Sequence, residues 1–123
     1  MSTRKETAVS FLKLAATADA RSAFERYAAP DFRHHNPFFP GDADSLAAGM
    51  EANARQFPQK ALKVERALED GDVVAVHSRV RHAPDQGEFA LVHIFRFEGE
   101  RIAELWDIAM AVPAESPNQY GTF

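Results

Sequence analysis

Three apolar runs late in the chain each carry one protonatable residue: His77 in Gly71-Asp72-Val73-Val74-Ala75-Val76-His77, His93 in His93-Ile94-Phe95-Arg96-Phe97, and Asp107 in Leu105-Trp106-Asp107. A buried imidazole or carboxylate costs several kcal/mol unless it is paired or put to use. Three of them on neighbouring strands mark a candidate pocket. Upstream, His34-His35-Asn36-Pro37 adds further polar groups just before a turn. Imidazole and carboxylate side by side are the groups of proton transfer. Asp107, His35, His77 and His93 are therefore the candidate catalytic residues. Each also has a plainer explanation. A lone strand histidine is commonly a packed residue with one hydrogen bond. His34 fits a solvent-exposed position, and His35-Asn36-Pro37 fits turn chemistry. Asp107 is harder to dismiss, because Asp is disfavoured in strands and rarely buried unpaired. A structural pair with His77 or His93 is the alternative for it.

The elements that must position these groups follow from periodicity. Thr3 and Glu6 have capping-box spacing, and Val9, Leu12 and Ala16 form one helical stripe. Asp19 opens a second helix carrying Ala20, Ala23, Phe24, Tyr27 and Ala28, and Pro30 stops it. A short extended piece over 32–36 follows, since Pro37 biases Asn36 away from helix. A third helix is predicted over 45–56, capped by Asp44 or Ser45 and ended by Pro58. Four strands are predicted over 61–69, 73–82, 88–97 and 102–112. Asp70-Gly71-Asp72, Pro84 to Gly87 and Glu98-Gly99-Glu100 supply the turns. Helices first and an antiparallel meander later make an α+β fold rather than α/β.

Alternation places Phe89, Leu91, His93, Phe95 and Phe97 on one face, and Ala103, Leu105, Asp107 and Ala109 on one face of the last strand. On the preceding strand, Val73, Ala75, His77, Arg79 and Arg81 face together. The reading that joins these sets puts His77, His93 and Asp107 in one cavity, with Phe38, Phe39, Phe89 and Leu105 as its apolar wall. The other face, with Trp106, Ile108 and Val92, is apolar enough to meet a second subunit, so a homodimer is expected.

Composition narrows the classes. The chain has 123 residues, enough for one domain over 1–123 with one core. It is 46% hydrophobic and 26% charged with ten Phe residues, an ordinary globular balance with ample apolar volume. A net charge of -4 and no basic run argue against nucleic acid as a partner. With no cysteine there is neither a disulfide framework nor thiolate chemistry, which fits a cytoplasmic location. No stretch approaches the ~20 apolar residues of a membrane span, and none reads as a signal peptide.

The pattern as a whole resembles the SnoaL-like branch of the fold shared by nuclear transport factor two, scytalone dehydratase and ketosteroid isomerase. The likeness covers almost the whole chain. It is closest to a bacterial subgroup predicted to catalyse aldol condensation. The residues that carry it are His35-Asn36-Pro37, Gly71 through His77, His93 through Phe97, Gly99 through Asp107, and the tail from Pro113 to Phe123. The resemblance implies a conical α+β barrel, a strongly curved and mostly antiparallel sheet around a pocket closed by N-terminal helices, and dimers through the sheet. It also implies that His93 stands where the isomerase branch has its oxyanion-hole acid and that Asn36 lies near the position of its general base. Asn36 therefore joins Phe38, Phe39, Phe89 and Leu105 as a substrate-binding candidate. Three polar positions of the subgroup differ here: its strand acid is His93, its histidine before Trp-Asp is Leu105, and a glutamine after the Asp is Met110.

The resemblance and the residues together point to cofactor-independent acid/base chemistry on a small apolar carbonyl compound: enolisation, aldol-type cyclisation or dehydration. Asp107 is the expected general acid/base, with His35, His77 or His93 donating to a developing enolate oxygen. A non-catalytic small-molecule-binding module of the same fold is the alternative, favoured by the two polar positions that became apolar. A metal site of His35, His77, His93 and Asp107 is a minor alternative, because no tight ligand spacing accompanies it; the expectation is no metal and no cofactor.

Overall fold

A computed structural model describes residues 2–123. The elements run α1 (Arg4–Ala15), α2 (Ala20–Tyr27), β1 (Ala28–His34), α3 (Ala43–Gln56), β2 (Ala61–Asp70), β3 (Val73–Arg81), β4 (Glu88–Glu98) and β5 (Arg101–Ala111). The expected capping box closes α1. Thr3 Oγ1 accepts from the Glu6 N–H at 3.1 Å, and Glu6 Oε1 accepts from the Thr3 N–H at 3.2 Å. α3 starts earlier than its pattern suggested. Its cap is Asp42, whose Oδ2 accepts from the Ser45 N–H at 2.9 Å. That satisfies one of the helix's orphan donors.

The extended piece after α2 is longer than expected and holds Pro30. Proline has no N–H for a ladder, and β1 is an edge strand, where one is not required. The sheet order is β1-β5-β4-β3-β2. β1 runs parallel to β5 and every other pair is antiparallel. The α+β architecture and the mostly antiparallel sheet are as the sequence implies. The sheet is open rather than a closed barrel, with β1 and β2 as its edges. Gly71 and Gly99 turn the β2–β3 and β4–β5 hairpins at φ 62° and 61°, a region that favours glycine.

Residues directly paired across strands share a face. Val74, Val76, Phe95 and Leu105 are fully buried on the face that meets the helices. Phe11 of α1 packs edge-on against Phe95 at 5.8 Å and against Phe24 of α2 at 5.0 Å. Burying each such side chain contributes roughly 1.5–3 kcal/mol. This packing covers one half of the inner face. Over the other half, α3 and the loop after β1 face β3, β4 and β5 across a cavity. Among the described residues no helix is long and apolar enough to cross a membrane.

Candidate functional site

The cavity between α3 and the sheet has a volume of about 380 Å³. Its floor is Val80, His82, Phe89, Leu91, Asp107 and Ala109 from the sheet; α3 contributes Leu46, Gly49, Met50 and Asn53, and Asn36, Phe38, Phe39 and Lys60 complete it. The size is at the small end of ligand pockets, which span ~300–1,000 Å³.

Asp107 is the pivot. His93 is its direct partner on β4, and the His93 Nε2 lies 3.2 Å from Asp107 Oδ1. Asn36 Nδ2 donates to Asp107 Oδ2 at 2.8 Å. The Asn36 amide cannot turn over freely, because its Oδ1 accepts from the Phe38 N–H at 3.0 Å. Asn36 is itself placed by His34. The Asn36 N–H donates to His34 Nδ1 at 3.0 Å, and His34 Nε2 reaches the Pro40 carbonyl at 2.7 Å. With its Nδ1 accepting, His34 carries its proton on Nε2. It is buried, not exposed as its place in the sequence suggested. Burial pushes the Asp107 carboxyl up, but the hydrogen bond and charge of His93 and the Asn36 amide outweigh it and hold it below its ordinary value. His93 is buried and touches Asp107 rather than the cavity, and among the described residues its Nδ1 has no hydrogen-bond partner.

The expectation that His77, His93 and Asp107 face one cavity fails at His77. His93 pairs with Val76, whereas His77 pairs with Val92 and so lies on the outer face. There it contacts Arg66 and stacks on Phe123 at 5.7 Å. Its companions Arg79 and Arg81 form ion pairs with Glu65 and Glu88 on that face. His35 is also outside. It bonds Glu104 at 2.6 Å and stacks on Trp106 at 5.0 Å. The four residues considered as a metal set are thus divided between the two faces. Leu105 is in the helix-packed core and not on the cavity wall. Asn36, Phe38, Phe39 and Phe89 do line the cavity, with Phe38 mostly exposed at its mouth.

The sequence reading missed Lys60, Asn53 and His82. Lys60 Nζ donates to Asn53 Oδ1 at 2.8 Å. Burial holds the Lys60 ammonium below its ordinary pKa, partly opposed by the charge of Asp107. His82 rests between Phe57, at 4.8 Å, and Phe89, at 5.4 Å. Burial and the Lys60 charge lower its pKa. A signal for His82 was present: Val74, Val76 and Val80 alternate as a core face, and His82 continues it. Lys60 sits just before β2 and carries no such signal. Gly49 also matters, because a Cβ there would overlap the Phe39 ring, which lies directly against the α3 backbone.

Helices on one face of an open, mostly antiparallel sheet, with a half-buried carboxylate at the floor of a mostly apolar cavity, define a small α+β pocket protein. A family model for the SnoaL-like domain matches residues 8–105, and the chain belongs to that family. Its fold is shared with solved structures of low identity. A cystatin-fold protein from Novosphingobium aromaticivorans superposes with a TM-score of 0.73 at 20% identity, covering 88% of this chain and 99% of that one. AclR from Streptomyces galilaeus, described as a candidate hydroxylase, gives 0.72 at 20% identity, with 87% and 88% covered. A candidate polyketide cyclase from Acidithiobacillus ferrooxidans gives 0.70 at 18% identity, with 89% of each chain covered. The chain matches no curated protein in sequence.

Proposed function

We propose that the protein is a cofactor-independent enzyme that moves a proton next to the carbonyl of a small apolar compound. The observation that carries this reading is Asp107: a carboxylate at the cavity wall, with the Asn36 amide donating to one oxygen, the His93 Nε2 3.2 Å from the other, and lone pairs left over. Asp107 takes the proton from a carbon beside the carbonyl. The C–H electron pair becomes the enolate double bond, and negative charge collects on the carbonyl oxygen. Asn36 Nδ2 has a second N–H for that oxygen, a role that His35 and His77 on the outer face do not reach. His93 orients Asp107. The proton then returns to the substrate carbon, or the enolate carbon attacks a second carbonyl of the substrate, whose C=O π pair moves onto its oxygen and takes the proton back from Asp107. The names of the polyketide-cyclase neighbours are in keeping with such chemistry.

Exchange of the acidic C–H protons of 2-tetralone in deuterated water, followed by NMR, tests this. Catalysed exchange by the protein, lost in Asp107→Asn, supports it. Equal exchange by both proteins overturns the role of Asp107.

The lowered pKa of Asp107 favours a second reading, a binding module without turnover, because a weaker base suits only strongly activated carbon acids. That reading expects uncatalysed exchange rates together with measurable ligand binding.

We further propose a homodimer through the outer sheet face. Ile108, Met110 and Leu68 are exposed there, and Val92 pairs with Ile108. Ile108→Glu should shift the mass seen by light scattering from dimer to monomer, since it would bury an unpaired charge. A monomeric wild type at micromolar concentration removes the proposal.

A further inference from the structure

We infer that Lys60, with Asn53 and His82, forms a subsite for an ionised oxygen of the ligand, so that the preferred ligands are apolar ring compounds carrying a carboxylate. This deepens the reading of the cavity as the ligand site and rests on it. The ammonium faces a cavity whose wall is otherwise largely apolar. Among the described residues no carboxylate lies within ion-pair distance of Lys60, and its hydrogen bond goes to the neutral Asn53 amide. Buried cations are normally paired. Lys60 is half-buried and keeps two N–H donors for a further partner.

The sheet register separates this pole from Asp107. Asp107 is level with His93 and Val76, while His82 lies beyond the Arg81–Glu88 pair, six residues along β3 from Val76. Between the two poles lie Leu91, Phe89 and Val80. A ring system spanning them would place its carbonyl side at Asp107 and its acid at Lys60. His82, flanked by the Phe57 and Phe89 rings, lines the cavity on the same side. A carboxylate at the other end would meet the Asp107 charge, so the arrangement also sets orientation.

Isothermal titration with 2-naphthoate and with 2-acetylnaphthalene, a neutral compound of nearly equal shape, tests the inference. The wild type should bind naphthoate at least tenfold more tightly than the ketone. Lys60→Met should abolish that preference while ketone affinity stays within about twofold, and Lys60→Arg should restore most of it. Far-ultraviolet circular dichroism on each variant checks folding, and the unchanged ketone affinity is a second check. Equal affinity of the wild type for both probes, a preference that survives in Lys60→Met, or binding of neither probe would overturn the inference. None of these outcomes depends on turnover. Naphthoate held through Lys60 without catalysed 2-tetralone exchange would retain the subsite and remove the enzyme reading. Catalysed exchange without the preference would do the reverse.

Discussion

Two carboxylates three residues apart on β5 meet opposite fates. Glu104 faces outward and Asp107 inward, as strand alternation requires. Each has a histidine. Glu104 is bonded by His35 at 2.6 Å and also by Arg33 and Arg96 at 3.0 and 3.1 Å. The hydrogen bonds of Arg33 and His35, helped by Arg96 against burial, hold its pKa down to about 2. Three partners fill its acceptor sites, so it ties β1, β4 and β5 together and has little left to offer. Asp107 has two partners, a neutral amide and an imidazole, and it borders a cavity. Burial alone does not mark a functional carboxylate, because Glu104 is the more buried of the two. What separates them is unfilled acceptor capacity facing open space.

The comparison is most exposed at Asp107 itself. Asp107→Asn should lower 2-tetralone exchange by roughly 100- to 10,000-fold, the usual contribution of a positioned acid or base. Asn36→Ala should cost about tenfold to a hundredfold in the same assay, matching about 1.5–3 kcal/mol for one hydrogen bond to a charged group. Its melting temperature should move little, and a large drop would instead make Asn36 a structural residue.

Glu104→Gln should show the opposite pattern. Exchange should be unchanged, while denaturant unfolding reports a loss of about 1.5–3 kcal/mol. The pH dependence has a defined sign. The folded pKa of Glu104 lies below its ordinary 4.5, so its contribution is complete above 4.5 and lost as pH falls towards about 2. The wild type should therefore lose more stability than Glu104→Gln across that window, and parallel curves would sever the link. His77→Ala is the smallest expected change. It should leave exchange unaltered and stability within about 0.5 kcal/mol, as for surface positions. A tenfold fall in exchange would return His77 to the site.

The three helices, the hairpin glycines and the face shared by His93 and Asp107 were all legible in the sequence. The error at β3 has a physical cause. Alternation divides that strand into Val74, Val76, Ser78 and Val80 against Val73, Ala75, His77, Arg79 and Arg81. The histidine drew attention to the second set, but two arginines two residues apart belong on a solvated face. The first set buries its side chains completely or nearly so. Relative register between strands was also hidden, because bulges between Val64 and Arg66 and between Arg96 and Phe97 shift parity without any turn residue to announce them. Lys60 was invisible for another reason: a lysine beside a strand reads as solvated until tertiary packing closes over it. Asn36 was legible only through family likeness, since its partner is 71 residues away.

The missing side chain at Gly49 makes the cavity mouth adjustable from a distance. Phe39 rests in the notch that this glycine leaves in α3. A single methyl at position 49 would evict the ring and redraw the entrance, without touching Asp107, His93 or Asn36. Descendants of this sequence therefore have a route to a reshaped cavity mouth that leaves Asp107 and its two partners in place. In evolutionary terms, position 49 is a tuning screw for the cavity entrance that is independent of the Asp107 cluster.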